Sequence, residues 1–370
     1  MVAQSTITNR LQKLRRLLKK KRLGAFLTTD PTTRYYLTGF HGTAGTVLVT
    51  SAGAHLYTDF RYTERALSEV PDCITVTEVN AQAKELITRE LRQNNVKRFG
   101  IEDKAMTLAN FEQAKKVYGP FTLVPVGNMV EVMRSIKDEE ELVFLRAAIN
   151  ATDNVFYQVV RWLRHAKKVK RLPTEQAVSD YIRDVVHAFP HHELAFPSIV
   201  ASGPHAARPH HEPTTRRLRL HETVIIDLGV KMHGYHADMS RTLFLGKPSS
   251  ALTHMFTTTL TAQGKAFRYI QKGGRSARMA DQTARDYINK YYPGSFGHSL
   301  GHGVGLEIHE APTLSVISKD QLKPDMVFSI EPGIYLPGVG GIRIEDLAQL
   351  TSSCCRFLST SPKSLNESIL

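Results

Sequence analysis

Four acidic residues stand in or at the ends of strongly apolar, β-branched runs, and this restricts the fold more than any other feature. Asp227 ends TVIID, Asp238 lies in GYHADMSRT, Glu331 ends VFSIE and Glu345 lies in GIRIED. A carboxylate among buried β-branched residues is costly unless it is paired or binds a cation. One such residue is readily explained as an ion pair, but four need a common explanation. Their spacing offers one: Asp227 is followed by Gly229, Gly234 and the second acid Asp238, and Glu331 by Gly333, Gly338 and the second acid Glu345. Each set reads as a strand ending in an acid, a glycine-containing turn, and a returning strand that carries another acid. If the two hairpins face each other, four carboxylates converge, and they cannot all ionise at close range without cations. Two divalent ions would balance their charge. Hard oxygen ligands with an imidazole suit Mn²⁺ first, with Zn²⁺, Co²⁺ or Fe²⁺ as alternatives. A dinuclear site of this kind activates a bridging water and polarises the bond it attacks.

Between the two acid hairpins lies FGHSLGHGVGLEIHE, with His298, His302 and His309. The four-residue step from His298 to His302 is the spacing of a helical zinc pair. However, Gly301, Gly303 and Gly305 lower helix propensity strongly, so the segment is expected to be strand and turn. One histidine would then supply a nitrogen ligand and the others would stand beside the metal.

Up to about residue 128, β-rich runs (GAFLTT, TVLVT, AHLYT, ITVTEV, RFGIE, TLVPV) alternate with helical segments at Arg61 to Val70, Ala81 to Gln93 and Leu108 to Tyr118. From Ser135 long helices take over, opening with the acid-rich SIKDEEELVFLRAAINATDNVFYQVVRWLRHA, whose early acids complement the helix dipole. The reading is an α+β chain: a smaller α/β domain over residues 1–130 and a catalytic domain over 131–370.

The formal net charge of +13 invites a nucleic-acid reading, but 8 of those charges (Arg10, Lys13, Arg15, Arg16, Lys19, Lys20, Lys21 and Arg22) lie in the first 22 residues, which hold no acid. Leu11, Leu14, Leu17 and Leu18 recur there at helical spacing, so a docked amphipathic helix with a solvated basic face is expected and nucleic-acid binding is disfavoured. No apolar run approaches the ~18 residues of a membrane span, and there is no secretory signal. With three cysteines (Cys73, Cys354 and Cys355) and no obvious disulfide pairing, a cytoplasmic location is expected.

The blocks DLGVKMHGYHADMSRT, GHSLGHGVGLEIHE, SIEPGIY and GGIRIED resemble, in order and spacing, those of the creatinase-like "pita-bread" metallopeptidases. This family includes aminopeptidase P, prolidase and methionine aminopeptidase. The resemblance spans essentially the whole chain, and it implies a pita-bread catalytic domain behind a creatinase-like N-terminal domain. It also implies metal ligands at Asp227, Asp238, His302, Glu331 and Glu345, with Glu331 handling the proton of the bridging hydroxide. His210 matches a histidine that approaches the substrate across the cleft, with neighbouring His211 as the alternative. His309 matches a histidine near the scissile carbonyl, His298 a pocket histidine, and Arg343 an arginine that orients a carboxylate.

The implied reaction is hydrolysis of the bond between an N-terminal residue and proline, and homodimerism is usual in the family. RYYLTGFHGTAGTVLVTSAGAHLYTDFRYTERA resembles the aminopeptidase P branch, so an Xaa-Pro aminopeptidase is expected ahead of a dipeptidase. A non-catalytic pita-bread binding protein or a metal-independent creatinase is disfavoured by the intact ligand set. Ser353-Cys354-Cys355-Arg356 departs from the glycine-containing turn expected between the last strands.

Overall fold

The computed structural model describes residues 2–370 apart from Ala81 and Ala105, so the first residue of the helix expected from Ala81 lies outside the described residues. The chain divides into two compact units, Met1–Arg134 and Ser135–Leu370.

The first unit is built on a six-stranded sheet of β1 (Ala25–Thr28), β2 (Thr46–Thr50), β3 (Ala54–Thr58), β4 (Thr75–Glu78), β5 (Arg98–Ile101) and β6 (Thr122–Pro125). The spatial order is β4-β3-β2-β1-β5-β6, with β2 antiparallel to both neighbours and the outer pairs parallel. Ser51-Ala52-Gly53 forms the hairpin turn between β2 and β3. The basic N-terminal segment is a helix, Gln4–Lys20, that buries Ile7, Leu11, Leu14 and Leu18. Lys13, Arg16, Lys19 and Lys20 are exposed, as expected of a solvated basic face. Arg10 departs from that pattern: it is 1% exposed, donates to the Tyr36 carbonyl at 2.9 Å and stacks over the Tyr36 ring.

The second unit opens with helix Glu139–Lys168, whose N-terminus is closed by a capping box between Asp138 and Glu141. Helix Glu175–His187 follows, with the Thr174 side chain accepting from the Ala177 amide. Next come β7 (Glu193–Leu194), β8 (Ile199–Ser202), β9 (Thr223–Leu228), β10 (Val230–Met232), β11 (Tyr235–His236) and β12 (Met239–Phe244). After helices Ser250–Gln271 and Ala277–Asn289, the chain forms β13 (Gly301–Gly303), β14 (Glu310–Leu314), β15 (Val327–Ile330), β16 (Gly333–Leu336), β17 (Gly340–Arg343), β18 (Asp346–Leu350) and β19 (Cys355–Phe357).

Both acid hairpins are present, and they share one design. β9 pairs with β12 in one sheet, while their continuations β10 and β11 pair in another. Likewise β15 pairs with β18, and the continuations β16 and β17 form a separate ribbon. Each hairpin therefore changes sheet part-way along. The returning strands are not continuous, which corrects the expectation that Asp238 and Glu345 lie within them. Asp238 directly precedes β12, and Glu345 sits in the break between β17 and β18. An unbroken strand sends successive side chains to opposite faces; the breaks release that alternation where the acids must turn toward a common centre. The last hairpin closes without a glycine, because the Thr351 amide donates to the Cys354 carbonyl at 2.7 Å.

Candidate metallopeptidase site

The two hairpins are tied together where their acids lie. The Glu345 amide donates to the Ser240 carbonyl at 3.0 Å, and Ser240 Oγ donates to Glu345 Oε2 at 2.9 Å. Arg343 Nε donates to Ser240 Oγ at 2.8 Å and its Nη2 to Asp227 Oδ2 at 2.7 Å. Asp227, Asp238 and Glu345 are buried, at 9%, 7% and 1% exposure. Glu331, one residue past β15, is joined to them through His302, whose Nε2 is 3.1 Å from Glu331 Oε1 and 3.7 Å from Asp238 Oδ2. Asp238, His302 and Glu345 each place a ligand atom within 4.8 Å of the others.

His302 reaches this centre from a strand, as the glycines around it predict. The β13 backbone passes so close to β15 that a Cβ on Gly301 would lie 2.0 Å from the Ser329 carbonyl oxygen. Gly301→Ala is accordingly expected to cost about 3 kcal/mol or more, read from the midpoint of urea unfolding; an unchanged midpoint would contradict the close approach. The ring is oriented by its own backbone, with Nδ1 3.2 Å from the Gly303 carbonyl, so that Nε2 faces the acids.

The electrostatics are those of carboxylates crowded together in a buried centre. Burial, reinforced by the Asp227 and Glu331 charges, raises Asp238 well above the usual carboxylate range. Glu345 is raised in the same way by burial and then by Asp238, and Asp227 by burial despite Arg343. Against its own desolvation, His302 is pushed up to about 9 by its hydrogen bond to Glu331 and the surrounding acids. Glu331 is correspondingly drawn down to about 2, burial notwithstanding. Asp227 Oδ1 and Glu345 Oε1 are buried without a hydrogen-bond partner among the described residues. Orphaned carboxylate oxygens beside an oriented imidazole are what a cation site requires, so Asp227, Asp238, His302, Glu331 and Glu345 fit divalent metal.

These residues line a cavity of about 480 Å³, together with His210, His298, His309, Phe196, Ile199 and Ile308. The His309 ring stands edge-on to His302 with centroids 4.4 Å apart, and its pKa is lowered by burial and by the His302 charge. His298 is held at both nitrogens: Nδ1 lies 2.8 Å from the Ser299 carbonyl and Nε2 2.8 Å from Tyr335 Oη. Tyr335 Oη also accepts from Arg343 Nη1 at 3.1 Å, which connects the pocket histidine to Asp227 through two side chains. Arg343, 3% exposed, also donates to the Pro209 carbonyl at 3.0 Å. The carboxylate it orients is therefore the chain's own Asp227. His211 also borders the cavity, but its Nε2 is bound to Glu175 Oε2 at 3.0 Å, whereas His210 is exposed. Sequence reasoning passed over Tyr335, although it ends the quoted SIEPGIY block, and also Ser240 and Glu175.

Residues 144–352 match the model of metallopeptidase family M24, and residues 10–136 match that of the Creatinase/Prolidase N-terminal domain. The chain belongs to metallopeptidase family M24. This M24 chain is 34% identical over 357 residues to the uncharacterized peptidase YqhT of Bacillus subtilis (strain 168), covering 96% of this chain and 99% of that one. Among solved structures, it is similar to the Xaa-Pro dipeptidase from Bacillus anthracis (TM-score 0.89, 31% identity, 97% and 99% of the two chains covered). It is also similar to the X-Pro aminopeptidase from Thermotoga maritima MSB8 (TM-score 0.86, 30% identity, 96% and 99% covered). The fold is thus a creatinase-type N-terminal domain followed by an M24 pita-bread domain. Among the described residues no helix is long and apolar enough to cross a membrane.

Proposed function

We propose that this M24 metallopeptidase removes the N-terminal residue from peptides whose second residue is proline. Proline lacks an amide N–H and has a fixed φ, so a site for it can dispense with an acceptor for that N–H and rely on apolar walls. Phe196, Pro197, Ile199 and Ile308 supply such walls beside the acid centre.

The observation that carries the aminopeptidase reading is the charge of the lining. Arg343 is the only Lys or Arg among the lining residues, and its guanidinium is engaged by Asp227, Ser240, Pro209 and Tyr335. No permanent cation in that lining is left to grip the proline carboxylate of a dipeptide, so a chain that continues past proline fits better. The second reading, an Xaa-Pro dipeptidase, is favoured by the name of the similar Bacillus anthracis structure.

Asp227, Asp238, His302, Glu331 and Glu345 would hold two divalent ions, and we favour Mn²⁺ for a set of four carboxylates and one imidazole. Bound there, the ions supply the Lewis acidity that activates water and polarises the scissile carbonyl. The protein's own groups do the rest. Glu331, held ionised, takes a proton from the attacking water and returns it to the proline nitrogen as the bond breaks. His309, kept neutral by burial, donates its ring N–H to the oxygen that gains negative charge. His210, exposed in the cavity lining, binds the peptide, and His298 is held in that lining by Tyr335.

A panel of Xaa-Pro dipeptides against Xaa-Pro-Yaa tripeptides decides between the readings. Cleavage of the tripeptides with kcat/KM at least about tenfold higher is expected, a difference of ~1.4 kcal/mol; activity confined to dipeptides would establish the second reading instead.

A further inference from the structure

The loop that brings His210 to the cavity is organised by a buried carboxylate outside the metal centre. Glu175, the first residue of helix Glu175–His187, is 0% exposed. Its Oε1 accepts from the Ser202 amide at 2.9 Å, from Ser202 Oγ at 2.7 Å and from His205 Nδ1 at 3.0 Å. Its Oε2 accepts from His211 Nε2 at 3.0 Å, from the Thr214 amide at 3.1 Å and from Thr214 Oγ1 at 2.7 Å. All six donors belong to the stretch 202–214. The backbone adds two further ties, Glu175 N to the Arg216 carbonyl at 3.0 Å and Gln176 N to the Thr214 carbonyl at 2.9 Å. Within this stretch lie His210, which lines the cavity, and Pro209, whose carbonyl accepts from Arg343.

Glu175, His205 and His211 also bring three ligand atoms within 4.8 Å of one another, the arrangement of a second cation site. The hydrogen bonds argue otherwise. A carboxylate has about four lone-pair positions, and hydroxyl and amide donors from Ser202 and Thr214 occupy that many before either imidazole is counted. A metal would have to displace them. The helix N-terminus further favours a negative charge at this position.

We propose that Glu175 is a positioning residue of the peptidase site: by gathering the ends and middle of the 202–214 loop onto one carboxylate, it presents His210 to the substrate and the Pro209 carbonyl to Arg343. This rests on the reading of the cavity as an Xaa-Pro peptidase site. Glu175 does not line the cavity, so its effect must pass through the loop.

The test is a double-mutant cycle with His210 in the metal-loaded full chain, with the histidine ring resonances of the same variants recorded by NMR in metal-free protein. Glu175→Gln keeps the size of the side chain but places an amide NH₂ against donors. It is expected to lower kcat/KM on an Xaa-Pro-Yaa peptide about 30-fold in the parent and less than about threefold in the His210→Ala background. The His210 ring signals, assigned by their loss in His210→Ala, should move toward those of an unrestrained histidine. Thr214→Val, which removes one hydroxyl donor and is less disruptive should Glu175→Gln fail to fold, is expected to show a smaller change of the same kind. Equal losses in both His210 backgrounds for either variant, or unmoved His210 signals, would overturn the proposal. If the parent protein cleaves no Xaa-Pro peptide, the proposed function falls by itself, and the NMR arm still decides whether Glu175 holds His210 in place.

Discussion

Asp238→Ala is expected to lower kcat on Xaa-Pro-Yaa peptides at least about 10³-fold, equivalent to ~4 kcal/mol of transition-state stabilisation, while the protein stays folded. Asp238 lies between the two halves of the centre, 3.7 Å from His302 Nε2 and next to Glu345. Its removal takes a ligand from any ion shared across the two hairpins. The fold should tolerate the change because Asp238 is a repelled group: burial and then the Asp227 charge disfavour its ionisation. In the presence of chelator the variant should therefore melt no lower than the parent, and elemental analysis of the loaded protein should find less than the parent's metal content. Undiminished activity with the metal lost would rule out the mechanism.

Stripping divalent cations is expected to make stability fall as pH rises between about pH 5 and 9. In the metal-free native state Asp227, Asp238 and Glu345 hold protons above the ~4 of a free carboxyl. The native state then binds more protons than the unfolded state, and stability falls as pH rises through the raised values. His302 adds to the same trend. Its stabilising charge is fully present below the ~6.5 of a free imidazole and is lost as pH rises through about 9. Glu331, drawn down to about 2, contributes with the opposite sign, but its contribution is lost only on acidification, below this window. Bound cations take the place of those protons, so the loaded protein should be spared this loss. The gap in melting temperature between Mn²⁺-loaded and EDTA-treated protein should widen with pH and reach about 8 °C by pH 8, roughly 4 kcal/mol. Melting curves that stay parallel from pH 5 to 8 would show that the carboxylate cluster is not the cation site.

What could be read from the sequence was whatever depends on local pattern. The six β-rich runs of the first unit all form strands, and the Gly301 and Gly303 flanks correctly place His302 on a strand despite its helical spacing from His298. The acids of the two hairpins were visible because charge within β-branched runs is anomalous wherever it occurs. Helix Pro31–Thr38 escaped notice, being only 8 residues long and dependent on Asp30 and Gly39 at its ends. The strand breaks at Asp238 and Glu345 depend on how two sheets diverge, which no single strand encodes. Nothing in the local sequence sets Glu175 apart from other first-turn acids; its importance comes from partners 27 to 39 residues away. The sequence left His210 and His211 as alternatives for the same reason, since the bond from His211 to Glu175 forms only in the fold.

The ties between the hairpins also bear on ion size. The bonds from Glu345 N to Ser240 O, from Ser240 Oγ to Glu345 and from Arg343 to Ser240 and Asp227 fix the distance between the two acid pairs without help from any ligand. Zinc-sized ions bind oxygen at about 2.0–2.2 Å and calcium at about 2.3–2.6 Å. Widening that distance would break buried hydrogen bonds, each contributing about 1 kcal/mol. Acid pairs clamped in this way are expected to suit small divalent ions better than large ones, which competition between Mn²⁺ and Ca²⁺ for the metal-free protein would test.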